Sequence, residues 1–162
     1  MPPKITAQAR ALIEHIQMRY HEGHRRALPD LLALAAAAEE HGVGDGLAKA
    51  LAAIGHALEQ HMFKEEMRLF PMMEQGGNTL IGRLIEDLHR EHVDHEAAMN
   101  ELRARLRLLN GTYCTDPALQ KLIRGVDDLA HELAQHIRAE DEELFPLFSA
   151  PHAPASNAAF HP

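Results

Sequence analysis

Residues 61–71 (HMFKEEMRLFP) and 136–146 (HIRAEDEELFP) align without a gap, and both read H-x-x-x-E-(acid)-x-x-L-F-P. On a helix, residues four apart project from one face. His61 therefore stands with Glu65, and His136 with Glu140. Such a repeat asks for two elements that present the same face at the same depth, which leaves few folds open. Imidazole nitrogen combined with carboxylate oxygen suits iron and its neighbours in the first transition row. Helical bundles build dinuclear centres by projecting such side chains inward from facing helices. One isolated H-x-x-x-E reads as a solvated face, but two in-register copies read as a site. The shared Leu-Phe-Pro ending reads as packing and helix termination.

Breaker residues divide the chain into four long helical segments. The first runs from about Thr6 to His41 and stops at residues 42–46 (GVGDG). Asp45 is the expected cap of the second, which reaches Phe70 and Pro71 and is broken by residues 76–79 (GGNT). Asn78 or Thr79 caps the third, which Asn110 and Gly111 close after Leu109. Residues 115–117 (TDP) open the fourth, with Pro117 at the first helical position. It ends near Phe145 and Pro146.

Apolar residues recur at three and four in the third segment (Leu80, Ile81, Leu84, Ile85, Leu88). They do so again in the fourth (Leu119, Leu122, Ile123, Val126, Leu129, Leu133). Sustained period-2 alternation is absent. The expected fold is all-α, an up-down-up-down four-helix bundle over residues 1–150 with a disordered tail over 151–162. In that topology the second and fourth helices run parallel, which puts the two motif copies at one level.

Composition narrows the partners. With 4% aromatic residues and no Trp, the apolar content is Ala, Leu, Ile and Met, the better helix formers. A formal charge of −8, with 13 histidines counted neutral, argues against nucleic acid and anionic membranes, which select clustered Lys and Arg. No apolar run approaches the roughly 20 residues that span a bilayer. The first residues (MPPKIT) lack a signal-peptide core, so the expected compartment is the cytoplasm. Cys114 alone can form neither an intramolecular disulfide nor a thiolate-held cluster. Ferritin-type centres use Glu-x-x-His twice; here Glu86 and His89 make the pattern once.

Further ligands must come from the first and third helices. Spacing alone permits His89, His92 or His95 in the third. The first offers His21 and His24 beside Tyr20, and His41 at its end. His24, His89 and His95 suit either an orienting role one turn from a ligand or the surface. His15, His56 and His131 read as core or boundary residues, Tyr20 as packing, and Cys114 as incidental.

The pattern resembles the hemerythrin-like domain of the iron–sulfur cluster repair (repair of iron centres) family, bacterial diiron proteins linked to nitrosative and oxidative stress. The matching residues are Tyr20, His21, His24, Arg25, Leu28, Pro29 and Leu31. They continue with His61, Met62, Lys64, Glu65, Glu66, Leu69, Phe70, Pro71 and Met72, then Glu91 and His92, then His136, Ile137, Glu140, Leu144, Phe145 and Pro146. The resemblance covers about residues 10–148. It implies two non-haem irons, oxo- or hydroxo-bridged, with His21, His41, His61, His92 and His136 as ligands and Glu65 and Glu140 bridging.

Two features depart from the family. No residue here corresponds to the small Cys-Cys domain that precedes the bundle in those proteins. The stretch from Pro29 to His41 is also one residue short. The twenty steps from His21 to His41 turn a straight helix by roughly 200° from its starting face. A kink or bulge near Pro29 is therefore expected to bring the two together.

Five imidazoles, two carboxylate bridges and one oxygen bridge leave one position open on a pair of six-coordinate irons. A small gas, O2 or NO, is the expected ligand there, and an iron–sulfur protein the expected acceptor of iron. The implied function is iron supply for repair of damaged iron–sulfur clusters, or nitric oxide handling under stress, by a monomer. The alternatives are a module that reversibly binds or senses O2 or NO, and a bundle that holds zinc or nothing.

Overall fold

A computed structural model describes residues 3–148. Residues 1–2 and 149–162, among them the tail expected to be disordered, lie outside the described residues. Ala, Leu, Glu, Gln, Lys and Arg dominate the four expected segments, and all four are helical. The first bundle helix comprises α1 (Pro3–His15), a wide turn (Ile16–His21) and α2 (Glu22–Glu40). The second joins α3 (Leu47–Lys64), a wide turn (Glu65–Leu69) and α4 (Phe70–Glu74). The third is α5 (Ile81–Tyr113), and the fourth is α6 (Pro117–Arg138) with a wide turn (Ala139–Leu144) and a terminal 3-10 turn (Phe145–Leu147). Among the described residues no helix is long and apolar enough to cross a membrane.

The helix ends follow local chemistry, with three corrections to the expected boundaries. At residues 41–43 Gly42 takes a positive φ of 80°, and Val43 and Gly42 donate to the carbonyls of Ala38 and Glu39. This left-handed closure favours glycine. Asp45 does not cap α3: that position falls to Gly46 (φ 75°), and the Ala48 amide donates instead to Glu39 Oε1 at 2.6 Å. Asn78 forms a local turn, accepting from Leu80 two residues on, and the cap position falls to Leu80. Asn110 and Gly111 lie inside α5, which runs on to Tyr113. Gln120 fastens that last turn by donating to Asn110 Oδ1 and the Cys114 carbonyl. The fourth helix starts as expected, with Pro117 at its first position and Asp116 Oδ2 accepting from the Leu119 amide at 2.9 Å.

In the bundle α2 packs on α3 and α6, and α5 packs on the same two. Gly125 allows the close approach of α6 to α2, since a Cβ there would lie 2.3 Å from Leu31 Cδ2. The buried residues form two apolar layers. One holds Leu28, Leu31, Ile54, Leu58, Met99, Leu102, Leu129 and Leu133. The other holds Ile16, Tyr20, Leu69, Phe70, Ile85, Leu88, Leu144 and Phe145. The first and third helices run from the second layer to the first, and the second and fourth run back, as the up-down-up-down topology requires. Between the layers each helix contributes polar residues only 0–7% exposed: His21 and His24, His61 and Glu65, His92 and His95, His136 and Glu140.

Leu106 (1% exposed) belongs to the first layer, about 20 Å along α5 from His92. Leu106→Ala should cost about 2–5 kcal/mol through the cavity it leaves, read by urea denaturation. Bound metal per folded chain should stay at the wild-type value; its loss would mean that the two regions are not independent.

Candidate metal centre

Burying carboxylates is unfavourable unless opposite charge or hydrogen-bond donors meet them. Glu65 and Glu140 are each 0% exposed at the bundle axis, and four imidazoles converge on them. Glu65 Oε1 lies 3.2 Å from His21 Nε2 and 3.4 Å from His61 Nε2. Glu140 Oε1 lies 2.9 Å from His92 Nε2, and its Oε2 lies 3.2 Å from His136 Nε2. The imidazoles also meet in pairs. The Nε2 atoms of His21 and His136 are 3.2 Å apart, and those of His61 and His92 are 3.0 Å apart. The result is two sets of donor atoms close enough for a cation each: His21 and His136 with both glutamates, and His61 and His92 with the same two glutamates.

The outward nitrogen of every ring is also engaged. His21 Nδ1 bonds Glu66 at 2.7 Å, His61 Nδ1 bonds Glu91 at 3.2 Å, and His92 Nδ1 bonds Asp141 at 2.9 Å. His136 Nδ1 meets His24 Nε2 at 3.0 Å. A carboxylate can only accept, so the Nδ1 of His21, His61 and His92 must each carry a proton. In the neutral ring Nε2 is then a lone pair aimed at other lone pairs. Glu65 Oε1 and Oε2 and Glu140 Oε2 likewise have no hydrogen-bond donor among the described residues. A cage of acceptors without donors fits a cation, and this nitrogen–oxygen donor set fits iron or a neighbouring metal.

Without a cation, protons must do its work. Burial opposes charge on His61, but Glu65 and the other carboxylates around it outweigh this and push its pKa up to about 12. His92 is treated the same way by Asp141 and Glu140, and reaches about 9. Burial likewise opposes ionisation of Glu140, yet the facing His136 holds it well below the usual carboxylate range. His24 and His95 face no comparable charge. Burial, aided by neighbouring imidazoles, pushes them down to about 3 and about 4, so both stay neutral.

Three wide turns frame the site. Glu22 donates to the Gln17 carbonyl, Phe70 to that of Glu65, and Phe145 to that of Glu140, each five residues apart. Such π-type turns insert a residue and favour functional positions. They explain why adjacent residues point inward together, as Leu69 and Phe70 do. They also give the repeat its remaining roles. The acid after each inward glutamate reaches a histidine on another helix: Glu66 holds His21, and Asp141 holds His92. The phenylalanine of each Leu-Phe-Pro stacks on that same ring, Phe70 on His21 at 5.8 Å and Phe145 on His92 at 5.9 Å. Tyr20 stacks on His136, 5.5 Å away and 5° from parallel, as packing.

The structure thus brings together six of the seven expected residues: His21, His61, Glu65, His92, His136 and Glu140. It does not bring His41. Twenty residues of helix separate His41 from His21 by about 30 Å of rise. The helix runs on through Pro29, and its wide turn lies at residues 16–21, ahead of His21, where it cannot shorten that path. His41 instead closes the far end of the helix, half exposed, with Nδ1 2.7 Å from Asp116 Oδ1. Sequence reasoning left His24 open between an orienting and a surface role, and the structure puts it on His136. Glu66, Glu91 and Asp141 received no role there, although the acid shared by both motif copies was a usable signal for two of them.

The hemerythrin HHE cation binding domain matches residues 12–148, and the chain belongs to this family. It is similar to the iron–sulfur cluster repair protein YtfE of Cronobacter sakazakii, 32% identical over 140 residues, and to that of Pectobacterium atrosepticum, 35% identical over 143. It is also 34% identical over 145 residues to a probable iron–sulfur cluster repair protein of Haemophilus influenzae. Each match takes in 83% of this chain but only 63% of the relative's length.

Two outcomes are expected. His41→Ala should retain as much metal as the wild type by elemental analysis, whereas His92→Ala should lose it; equal losses would return His41 to the site. A cation must also displace the protons held by His61 and His92, whose pKa values lie above neutrality. Metal uptake at pH 7 should therefore release about two protons per folded chain, and affinity should fall as pH drops, first below about 12 and more steeply below about 9. Titration in weakly buffered solution, with the proton yield followed, checks both signs.

Proposed function

We propose that the centre holds two non-haem irons and that the chain acts in the repair of damaged iron–sulfur clusters, the role its relatives' names describe. His21 and His136 would hold one iron, His61 and His92 the other, and Glu65 and Glu140 would bridge them. One observation carries this reading: two four-residue donor sets share both of their carboxylates. With four imidazoles in place of five, the two carboxylates and an oxo or hydroxo bridge would leave each iron a free position. When bound, such a pair supplies one-electron chemistry and open positions for small gases such as O2 and NO.

The protein's own part is to hold neutral imidazoles in place. Glu66, Glu91 and Asp141 fix the Nδ1–H tautomer that leaves Nε2 free, and orienting partners of this kind raise a ligand's basicity. The apolar layers above and below restrict water. Supply of iron to an acceptor requires release, and the carboxylates hold ferrous iron less tightly than ferric. Glu65 and Glu140, as the carboxylates of the site, would therefore hold the metal less tightly once it is reduced. The proposed setting is the cytoplasm under nitrosative or oxidative stress, with an iron–sulfur protein as acceptor.

Two irons per chain are expected after expression in ample iron, and Glu65→Ala and Glu140→Ala should each lose most of both. A stoichiometry of one, or full occupancy by zinc, contradicts the dinuclear assignment. Under anaerobic conditions the reduced protein should pass iron to a chelator or an apo iron–sulfur scaffold much faster than the oxidised protein. Retention of both irons through reduction, with a reversible spectral change on adding gas, would favour a carrier or sensor instead.

A further inference from the structure

The two halves of the centre share their glutamates but differ behind their imidazoles. In the His61–His92 half both rings donate to carboxylates, Glu91 at 3.2 Å and Asp141 at 2.9 Å. In the His21–His136 half only His21 does so, to Glu66. Glu66 is in turn clamped by Arg25, whose two terminal nitrogens each lie 3.0 Å from one of its oxygens. His136 Nδ1 instead meets His24 Nε2 at 3.0 Å, an imidazole where the other three rings find a carboxylate. A carboxylate behind an imidazole strengthens the bond its other nitrogen makes to a metal, and loss of such a partner typically costs about 10–100-fold in affinity.

Access differs in the same sense. A groove of about 550 Å³ runs between α2 and α6, and His24 lies on its floor among Gly23, Ala27, Leu31 and Leu129. At Gly23 an added Cβ would meet nothing within 4 Å, so no side chain fills that part of the groove. One hydrogen bond then leads from the groove floor to His136. A smaller groove of about 340 Å³ between α3 and α5 ends on His95, which meets the His61 ring edge-on and makes no hydrogen bond to it.

We propose that the two cation positions are unequal and that the His21–His136 position is the labile one, exchanging with solution past His24, while the His61–His92 position retains its metal. This rests on the dinuclear reading given above. His24 acts as a positioning residue through His136.

The test is anaerobic transfer of ferrous iron from the full chain, loaded with two irons, to an excess of chelator. Two phases are expected, each releasing one iron. Asp141→Asn should speed the slow phase about tenfold or more and leave the fast phase alone. His24→Leu should speed only the fast phase, and His24→Gln, which restores a neutral acceptor, should return it to the wild-type rate. Two irons leaving in one phase, or Asp141→Asn acting on the fast phase, overturns the proposal. A chain that never binds more than one iron overturns the dinuclear reading itself, so the two failures are distinguishable. If circular dichroism shows that His24→Leu does not fold, Asp141→Asn at a partly exposed position decides alone.

Discussion

Two carboxylates with no access to water set the terms for this bundle. Removing an ion from water costs several kcal/mol even after the protein relaxes around it. Glu65 and Glu140 impose that cost side by side, between two apolar layers that supply no donor. The chain answers with four imidazoles, and each imidazole is tied on its far side to a further residue. The charge problem therefore propagates outward, from the glutamates to His21, His61, His92 and His136, and from these to Glu66, Glu91, Asp141 and His24. Lys64 and Arg25 then complete the balance toward the surface by pairing with Glu91 and Glu66, and His89 Nδ1 lies 2.8 Å from Asp141. With no cation bound, the same field keeps protons on His61 and His92. The site is in this sense built for positive charge, whether protons or metal carry it.

The repeat accounts for most of this arrangement. In each copy the histidine and first glutamate face the axis, the next acid orients a ring on a different helix, and the phenylalanine stacks on that ring. Both copies serve the odd-numbered helices of the bundle, His21 on the first and His92 on the third. The near two-fold pattern breaks at one point. Glu91 stands behind His61, and His24 stands behind His136, so one outer partner in four is neutral.

Much of the site was legible in the sequence because helices translate spacing into direction. His61 and Glu65, like His136 and Glu140, share a face by simple periodicity, and the gapless repeat put the two pairs at one depth. The antiparallel topology followed from short connections, two of them containing glycine. What failed was any inference that crossed a long helix. Joining His41 to His21 needed a distortion near Pro29, but the actual distortion lies before His21, and rise along an axis cannot be undone by rotation. The wide turns themselves have no local signature here. They are selected because inward-facing polar groups from four helices must meet in one layer while Leu69 and Phe70, and Leu144 and Phe145, fill the next.

The sequence by itself thus determined four helices, their order, the inward faces and the motif pairs His61 with Glu65 and His136 with Glu140, because each of these depends on neighbours within a few positions along the chain. His21 and His92 came only from the family resemblance. Tertiary structure alone decided which acids stand behind which imidazoles, that His24 backs His136, and that the two halves of the centre differ. Those pairings join side chains from 30 to 112 residues apart, between His24 and His136 at the longest and His61 and Glu91 at the shortest. Contacts at such separation are fixed by how the helices pack and rotate against one another, and no periodicity within a single helix encodes that.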